Sequence, residues 1–453
     1  MTQTARLAQF VAALDYGQLP PAVVRHAKLC ILDGLACGLY GSTLPWGSIL
    51  AQYVVERGGP ADVRLWGRQE RVSLEDAVLV NGTFTHSFEL DDLHPRSILH
   101  PAGVTIPVIL ALVEAGKHKV SGKQVIAALV AGYEAGARVG MSVGAQQLRR
   151  GFHPTGTVGP FAAAAAAANV LGLSPAETAH ALGTGGTFAA GLMASQYASM
   201  VKRMHAGRAA QNGLVGALLA RRGFTGIDNI LEAEYGGFCS TFAETPDMAA
   251  LNAGLGEEFE TMRVGFKPYC CCGSNHTSLD AVKSLMADHG ITKTMIRRVT
   301  VHTTRATKLH VGWEYKPDSI TTAQMNLYYC LAVLLEDGEL FVDQFKQERL
   351  TDPQVLQWIP SIQVIHDPKL DALGDAGRHA VRVEMELRNG SVFNTEVRHA
   401  WGSAHRPMSE AEVRQKFVAL AERVVPPSRA QALMKTVDRL EELDDAMELA
   451  ELL

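Results

Sequence analysis

The sequence predicts a mainly α protein with a second α+β domain: a large all-helical bundle domain and a smaller α/β lid domain. Three observations carry that prediction. From residue 20 to about 250, apolar residues recur at helical spacing in a background rich in Gly and Ala. Near residue 290 the period shortens to two, in IRRVTVHTT and again in VRVEMELRNGSVFNTEV. After residue 405, MSEAEVRQKFVALAERV places Ser409 and Glu412 in capping-box spacing, and helical texture resumes to the end. The expected division is therefore a discontinuous helical domain, 1–266 with 406–453, and an α/β lid domain, 267–405.

Each element has its own local signal. PPAVVRHAKLCILDGLACGLYG has apolar residues at helical spacing and ends in glycine. SGKQVIAALVAGYEAGARVGM carries Gly132, Gly136 and Gly140 four apart on one helix face, a pattern that lets two helices approach closely. GPFAAAAAAANVLGL reads as a further helix, and SPAETAHALG as the next, with a Ser-Pro start. GTGGTFAAG superficially matches a dinucleotide fingerprint, but it follows a helical segment and lacks the later acidic residue, so helix packing explains it. In the α/β part, TTAQMNLYYCLAVLLEDGEL is helical. Val381, Val383, Met385 and Leu387 share a strand face, and Asn389-Gly390 marks a hairpin turn.

Composition narrows the class. Hydrophobic residues make up 47% and charged residues 20%, which suits a packed globular enzyme rather than a disordered chain. A net charge of −5 gives no reason to expect nucleic acid or an anionic membrane as partner. Seven cysteines without regular spacing argue against a disulfide framework and for a reducing compartment. MTQTARLAQF lacks the order of a signal peptide, and no long uninterrupted apolar run appears, so a cytoplasmic location is expected.

Four segments hold the residues that could carry chemistry. ELDDLHPRSILHP gathers Glu89, Asp91, Asp92, His94, Arg96 and His100. It offers ligands for a divalent ion, acid/base groups near neutrality, or simply a polar loop held by prolines. RRGFHPTGTVGPF sets His153 and Thr155 at a helix start, where N–H groups favour a carboxylate. SMVKRMHAGRAAQNG brings Lys202, Arg203, His205 and Arg208 into a small, apolar context, where a buried lysine needs an anionic partner. FKPYCCCGSNHTSLDA joins Lys267 and His276 to three adjacent cysteines. Three neighbouring thiolates cannot all reach one tetrahedral zinc, and the cysteines are read as structural.

Taken in order, NGTFTHSFELDDLHPRSILHPAG, GFHPTGTVGPFAAAAAAANVLGLS, KRMHAGRAAQNG, FKPYCCCGSNHTSLDA and HRPMSEAEVRQKF resemble the MmgE/PrpD family. That family includes 2-methylcitrate dehydratase, cis-aconitate decarboxylase and iminodisuccinate epimerase. The resemblance implies a helical domain with an α/β lid, a homodimer, and a crevice site acting on small di- or tricarboxylates with no metal and no organic cofactor. Position by position it implies Asp91 or Asp92, His100, His153, Lys202, Lys267 and Tyr329 as site residues. Arg96, Thr155, His205 and His276 join Lys202 and Lys267 as expected substrate-binding groups. Family decarboxylases share a histidine after the lid lysine, in a K-x-F-P-A-H pattern, and Cys272 stands there instead. The LHPRSIL stretch also departs from the spacing of methylcitrate dehydratases.

The chemistry these groups share is removal of a proton from carbon beside a carboxylate, with Lys202 and Lys267 stabilising the developing charge. His153 or His100 serves as base, and the other, tuned by an aspartate, as acid. A hydro-lyase is expected first and an epimerase second, with decarboxylation behind both. From other classes, the loop leaves open a metal-dependent hydrolase, and the helical body a silent binding protein for an organic acid.

Overall fold

The structure, a computed structural model, describes residues 1–116, 119–374 and 377–453. They form two compact units: Met1–Met193 with Val201–Phe266 and Ser409–Leu453, and Ala194–Met200 with Lys267–Met408. Residues 194–200, placed by the sequence reading within the helical domain, group with the second unit, where the Tyr197 ring packs edge-on against Trp313.

The first unit is helical: α1 (Gln3–Ala13), α2 (Pro21–Gly41), α3 (Pro45–Arg57), α4 (Leu74–Thr85), α5 (Ala102–Ala115), α6 (Gly122–Val143), α7 (Pro154–Val170), α8 (Pro175–Gly186) and α9 (Val201–Ala220). The starts of α4, α6 and α8 are fixed by Ser73, Ser121 and Ser174, whose hydroxyls accept first-turn N–H groups. α7 runs through the core, with Ala162 to Ala168 all buried, as expected of a helix apolar on every side. Small residues set its neighbours' distance. A Cβ on Gly132 would lie 2.9 Å from the Ala162 carbonyl oxygen, and one on Gly136 would lie 2.7 Å from Ala162 Cβ. The same glycine face of α6 also seats the loop 89–101: a Cβ on Gly136 would meet Leu99, and one on Gly140 would collide with Ser97. Gly183 and Gly186 lie within α8 and press on Ile227 and Phe161, so the apparent dinucleotide fingerprint is helix packing.

The second unit contains α10 (Gly273–Asp288), β1 (Ile296–Thr303), α11 (Leu327–Asp337), β2 (Ile362–His366), β3 (Val381–Leu387) and β4 (Val392–Val397). The strands make a mixed sheet in the order β2-β1-β3-β4. β1 and β2 are parallel, with Val301 opposite Val364, while β1–β3 and β3–β4 are antiparallel. Val381, Val383, Met385 and Leu387 are buried on one face of β3, and the Asn389-Gly390 turn leads into β4 with Gly390 at φ 87°. All seven cysteines are buried.

The chain then returns to the first unit in α12 (Glu410–Ala421) and α13 (Pro427–Asp438). α12 starts at the expected capping box of Ser409 and Glu412. It carries Lys416 into the core, where Nζ lies 2.6 Å from Asp33 Oδ1 on α2 and donates to the Leu90 carbonyl at 2.6 Å. No helix among the described residues is long and apolar enough to cross a membrane.

Candidate active site

The first unit brings most of the expected residues together around the loop 89–101. Prolines 95 and 101 keep this loop out of a helix, and backbone bonds hold it. Leu93 and Gly265 exchange N–H···O bonds of 3.0 Å, and His94 N–H donates to Leu99 at 2.9 Å. Two non-glycine residues take left-handed backbone there, Glu89 at φ 55° and Ile98 at φ 58°. Such conformations cost energy and persist only where their surroundings enforce them. For Glu89 the reward is electrostatic: its carboxylate pairs with Lys202 and accepts from Arg203 Nη1 at 2.6 Å, all three buried. The anionic partner demanded by a buried lysine is thus Glu89.

Asp91 is the centre of the acid/base groups. Its Oδ2 lies 2.8 Å from His86 Nδ1 and 3.3 Å from His100 Nδ1, the second at ion-pair distance without hydrogen-bond geometry. Burial works against the Asp91 charge, but His100 and His86 beside it hold the carboxyl well below the usual carboxylate range. An ionised carboxylate only accepts, so His86 presents Nδ1–H to it. Burial pulls His86 down to about 4 against the pull of Asp91, leaving a neutral ring whose Nε2 is buried without a hydrogen-bond partner. The His86 ring centroid lies 4.8 Å from that of His100 and 5.5 Å from that of His153.

His153 sits at the N-cap of α7 and is buried. Its Nδ1 is 2.9 Å from His205 Nδ1 on α9. Burial first, then the Lys202 ammonium, keeps His153 well below its ordinary value, and the same two causes bring His205 to about 4. A neutral imidazole beside a buried ammonium is the combination a proton abstraction needs: a base, with positive charge fixed nearby. Thr155, fully buried, accepts the His100 N–H at 3.3 Å and so positions that histidine.

Other expectations need correction. Asp92 touches neither imidazole: it accepts from the Tyr133 hydroxyl at 2.6 Å and caps α5 through the Ala102 N–H at 3.0 Å. Burial raises its carboxyl well above the ordinary value. The N-terminus of α7 is also less available to a carboxylate than expected. Pro154 has no N–H, and Gly156 and Thr157 donate to the His153 carbonyl. Arg96 is half-exposed, 4.0 Å from Glu260. Tyr329 belongs to the core of the second unit: its hydroxyl is spent on the Gln344 carbonyl at 2.9 Å, and its ring stacks on Tyr315. Lys267 and His276 are buried in that same unit, with His276 Nε2 donating to the Cys271 carbonyl at 3.2 Å. Their substrate-binding assignment rests on the resemblance.

His86 was missed by sequence reasoning. Its signal is its place five residues before Asp91, at the end of α4, where helix and loop meet. With Asp91 and His100 it offers ligand atoms all within 4.8 Å of one another, the one such group among the described residues. A divalent ion there would have to replace the hydrogen bond that His86 directs at Asp91 Oδ2 and the 3.3 Å contact of His100 with the same oxygen.

The chain matches one known family over most of its length. The description "MmgE/PrpD N-terminal domain" matches residues 5–250, and "MmgE/PrpD C-terminal domain" matches residues 269–442. The chain is 35% identical to "Cis-aconitate decarboxylase-like protein oryM" of Aspergillus oryzae, across 99% of this chain and 97% of that one. It is 33% identical to a "Cis-aconitate decarboxylase" of Aspergillus terreus, covering 99% and 95%. It is 29% identical to the "Cis-aconitate decarboxylase" of Homo sapiens, covering 99% and 94%.

Proposed function

The chain belongs to the MmgE/PrpD family, and from that premise we propose that it is a lyase moving a proton at carbon in a small di- or tricarboxylic acid. The reaction put first is decarboxylation of a cis-aconitate-like acid. The observation that carries the proposal is the buried set Asp91, His100, His153 and Lys202 within the first unit. Loss of carbon dioxide from a carboxylate one carbon removed from a double bond leaves an allylic carbanion. Lys202 stabilises that charge, and a histidine N–H delivers one proton to carbon. The names of the relatives support decarboxylation ahead of dehydration. Dehydration of a hydroxy acid, expected first from the sequence, is the second reading. Cys272, where a histidine stands in the family's decarboxylase pattern, favours it. In that reading one histidine removes the carbon-bound proton and the other protonates the departing hydroxyl. The proposal extends to a cytoplasmic homodimer working without metal or organic cofactor.

The test is to incubate EDTA-treated protein in D₂O with cis-aconitate, citrate, methylcitrate and iminodisuccinate and follow proton NMR. Carbon dioxide release with a new alkene signal from cis-aconitate is the expected result. An alkene formed from a hydroxy acid supports the second reading, and exchange with inversion supports epimerisation. Activity lost on chelation and restored by a divalent ion overturns the proposal and assigns His86, Asp91 and His100 to a metal.

A further inference from the structure

Two facing δ nitrogens are an unusual hydrogen bond. His153 Nδ1 and His205 Nδ1 lie 2.9 Å apart, with ring centroids 5.1 Å apart at 47°. A bond between them holds a single hydrogen, so one ring donates and the other accepts. The pair is built in from both sides. His153 is the N-cap of α7, and its own N–H is held by the Gly191 carbonyl at 3.0 Å. Gly191, at φ 140°, brings its bare Cα under the other ring: a Cβ there would lie 3.3 Å from His205 Nδ1. Lys202, one turn before His205 on α9, disfavours an extra proton on either ring. His153 also faces the ring of His86, with centroids 5.5 Å apart. His153 is 5% exposed, whereas His205 is only half-buried.

We propose that His205 sets the tautomer of His153 and connects it, as a proton relay, to solvent. The inference rests on the reading of His153 as a proton-transfer residue. When His153 donates Nδ1–H to His205, its Nε2 carries a lone pair and serves as base, while His205 holds its proton on Nε2. When His205 donates, His153 carries Nε2–H and serves as acid. One concerted shift interconverts the two. A proton taken from substrate carbon at His153 Nε2 drives Nδ1–H across to His205 Nδ1, and His205 Nε2–H passes to water. One proton then moves from carbon to solvent, the negative charge stays on the substrate, and both rings end neutral. Run backwards, the same shift draws a proton from water, through His205 and His153, onto the carbanion left by loss of carbon dioxide. His205 is on this view a positioning residue rather than a substrate ligand.

The test has one arm that needs no turnover. Long-range ¹H–¹⁵N spectra of histidine-labelled protein are recorded for wild type, His205→Phe and, for assignment, His153→Gln. His153 is expected to show ring-nitrogen shifts averaged between two tautomers in wild type and to settle into one in His205→Phe. Unchanged His153 signals in His205→Phe overturn the inference. In the second arm, His205→Phe lowers kcat at least about tenfold and raises the solvent isotope effect, with KM little changed. A raised KM with unchanged kcat overturns it in favour of substrate binding. If wild type turns over no offered acid, the functional reading fails, while the nitrogen spectra still decide the His153–His205 pairing. If Phe unfolds the chain, His205→Gln, which cannot relay, reads the same quantities.

Discussion

Asp91 keeps its charge in a fully buried position because two imidazoles face it, and that charge in turn fixes how those imidazoles sit. Asp91→Asn keeps the shape but replaces an acceptor by an amide that also donates. The expected result is a 10²–10⁴-fold fall in kcat, within about the range that acid/base groups supply, with the thermal midpoint little moved. His86 has a consequence for stability. Its ordinary value is 6.5, and burial first of all takes it to about 4 in the folded chain. The unfolded chain therefore takes up a proton as pH falls below 6.5, and the folded chain takes it up only near 4. Its contribution is complete above 6.5 and is lost as the pH falls through that window, by as much as about 3 kcal/mol. Urea midpoints at pH 7 and pH 4.5 read this, and His86→Gln should show a distinctly smaller drop than wild type; equal drops contradict it. His100, His153 and Lys202 were legible in the sequence because each stands in a segment whose polar residues interrupt apolar texture. His86 was not, since a lone histidine ending a helix reads like many core histidines until Asp91 is placed against it.

At the scale of elements, close packing of small residues places the site. α4 ends at His86 and α9 carries His205, and the two helices cross where Gly82 and Gly207 touch. A Cβ on Gly207 would collide with the Leu79 carbonyl and would lie 2.9 Å from the Thr83 nitrogen. Gly207→Ala is therefore expected to destabilise by about 1–3 kcal/mol, read as a lower thermal midpoint, and to reduce kcat by separating His86 from His205. A variant with both quantities unchanged contradicts this placement. The glycine stripe of α6 was legible as a close-approach face, though not its second use as the seat of Ser97 and Leu99. The hairpin after β3 was legible from Asn389-Gly390 alone, because its turn chemistry is local. The bond from Lys416 to the Leu90 carbonyl was not, because it spans 326 positions and depends on α12 returning to α2. Burial lowers Lys416, but Asp33 opposite holds it above the ordinary lysine value, so the loop is tied to a charged, buried post.

For the whole molecule, the first unit by itself assembles Asp91, His100, His153, Lys202 and the added His86 and Glu89. The fold class was legible because its signals are periodicities of 3.6 and 2, which survive in any single sequence. The choice between Asp91 and Asp92 was not, because it turns on which carboxylate Tyr133 and the α5 N-terminus occupy. The most direct test of the central claim compares wild type and His153→Gln on cis-aconitate in D₂O, with thermal midpoints alongside. The account predicts that wild type releases carbon dioxide and places one deuteron on product carbon. It also predicts that His153→Gln does so at least about 10²-fold more slowly with an unchanged midpoint. Wild-type turnover by the folded His153→Gln protein would contradict it.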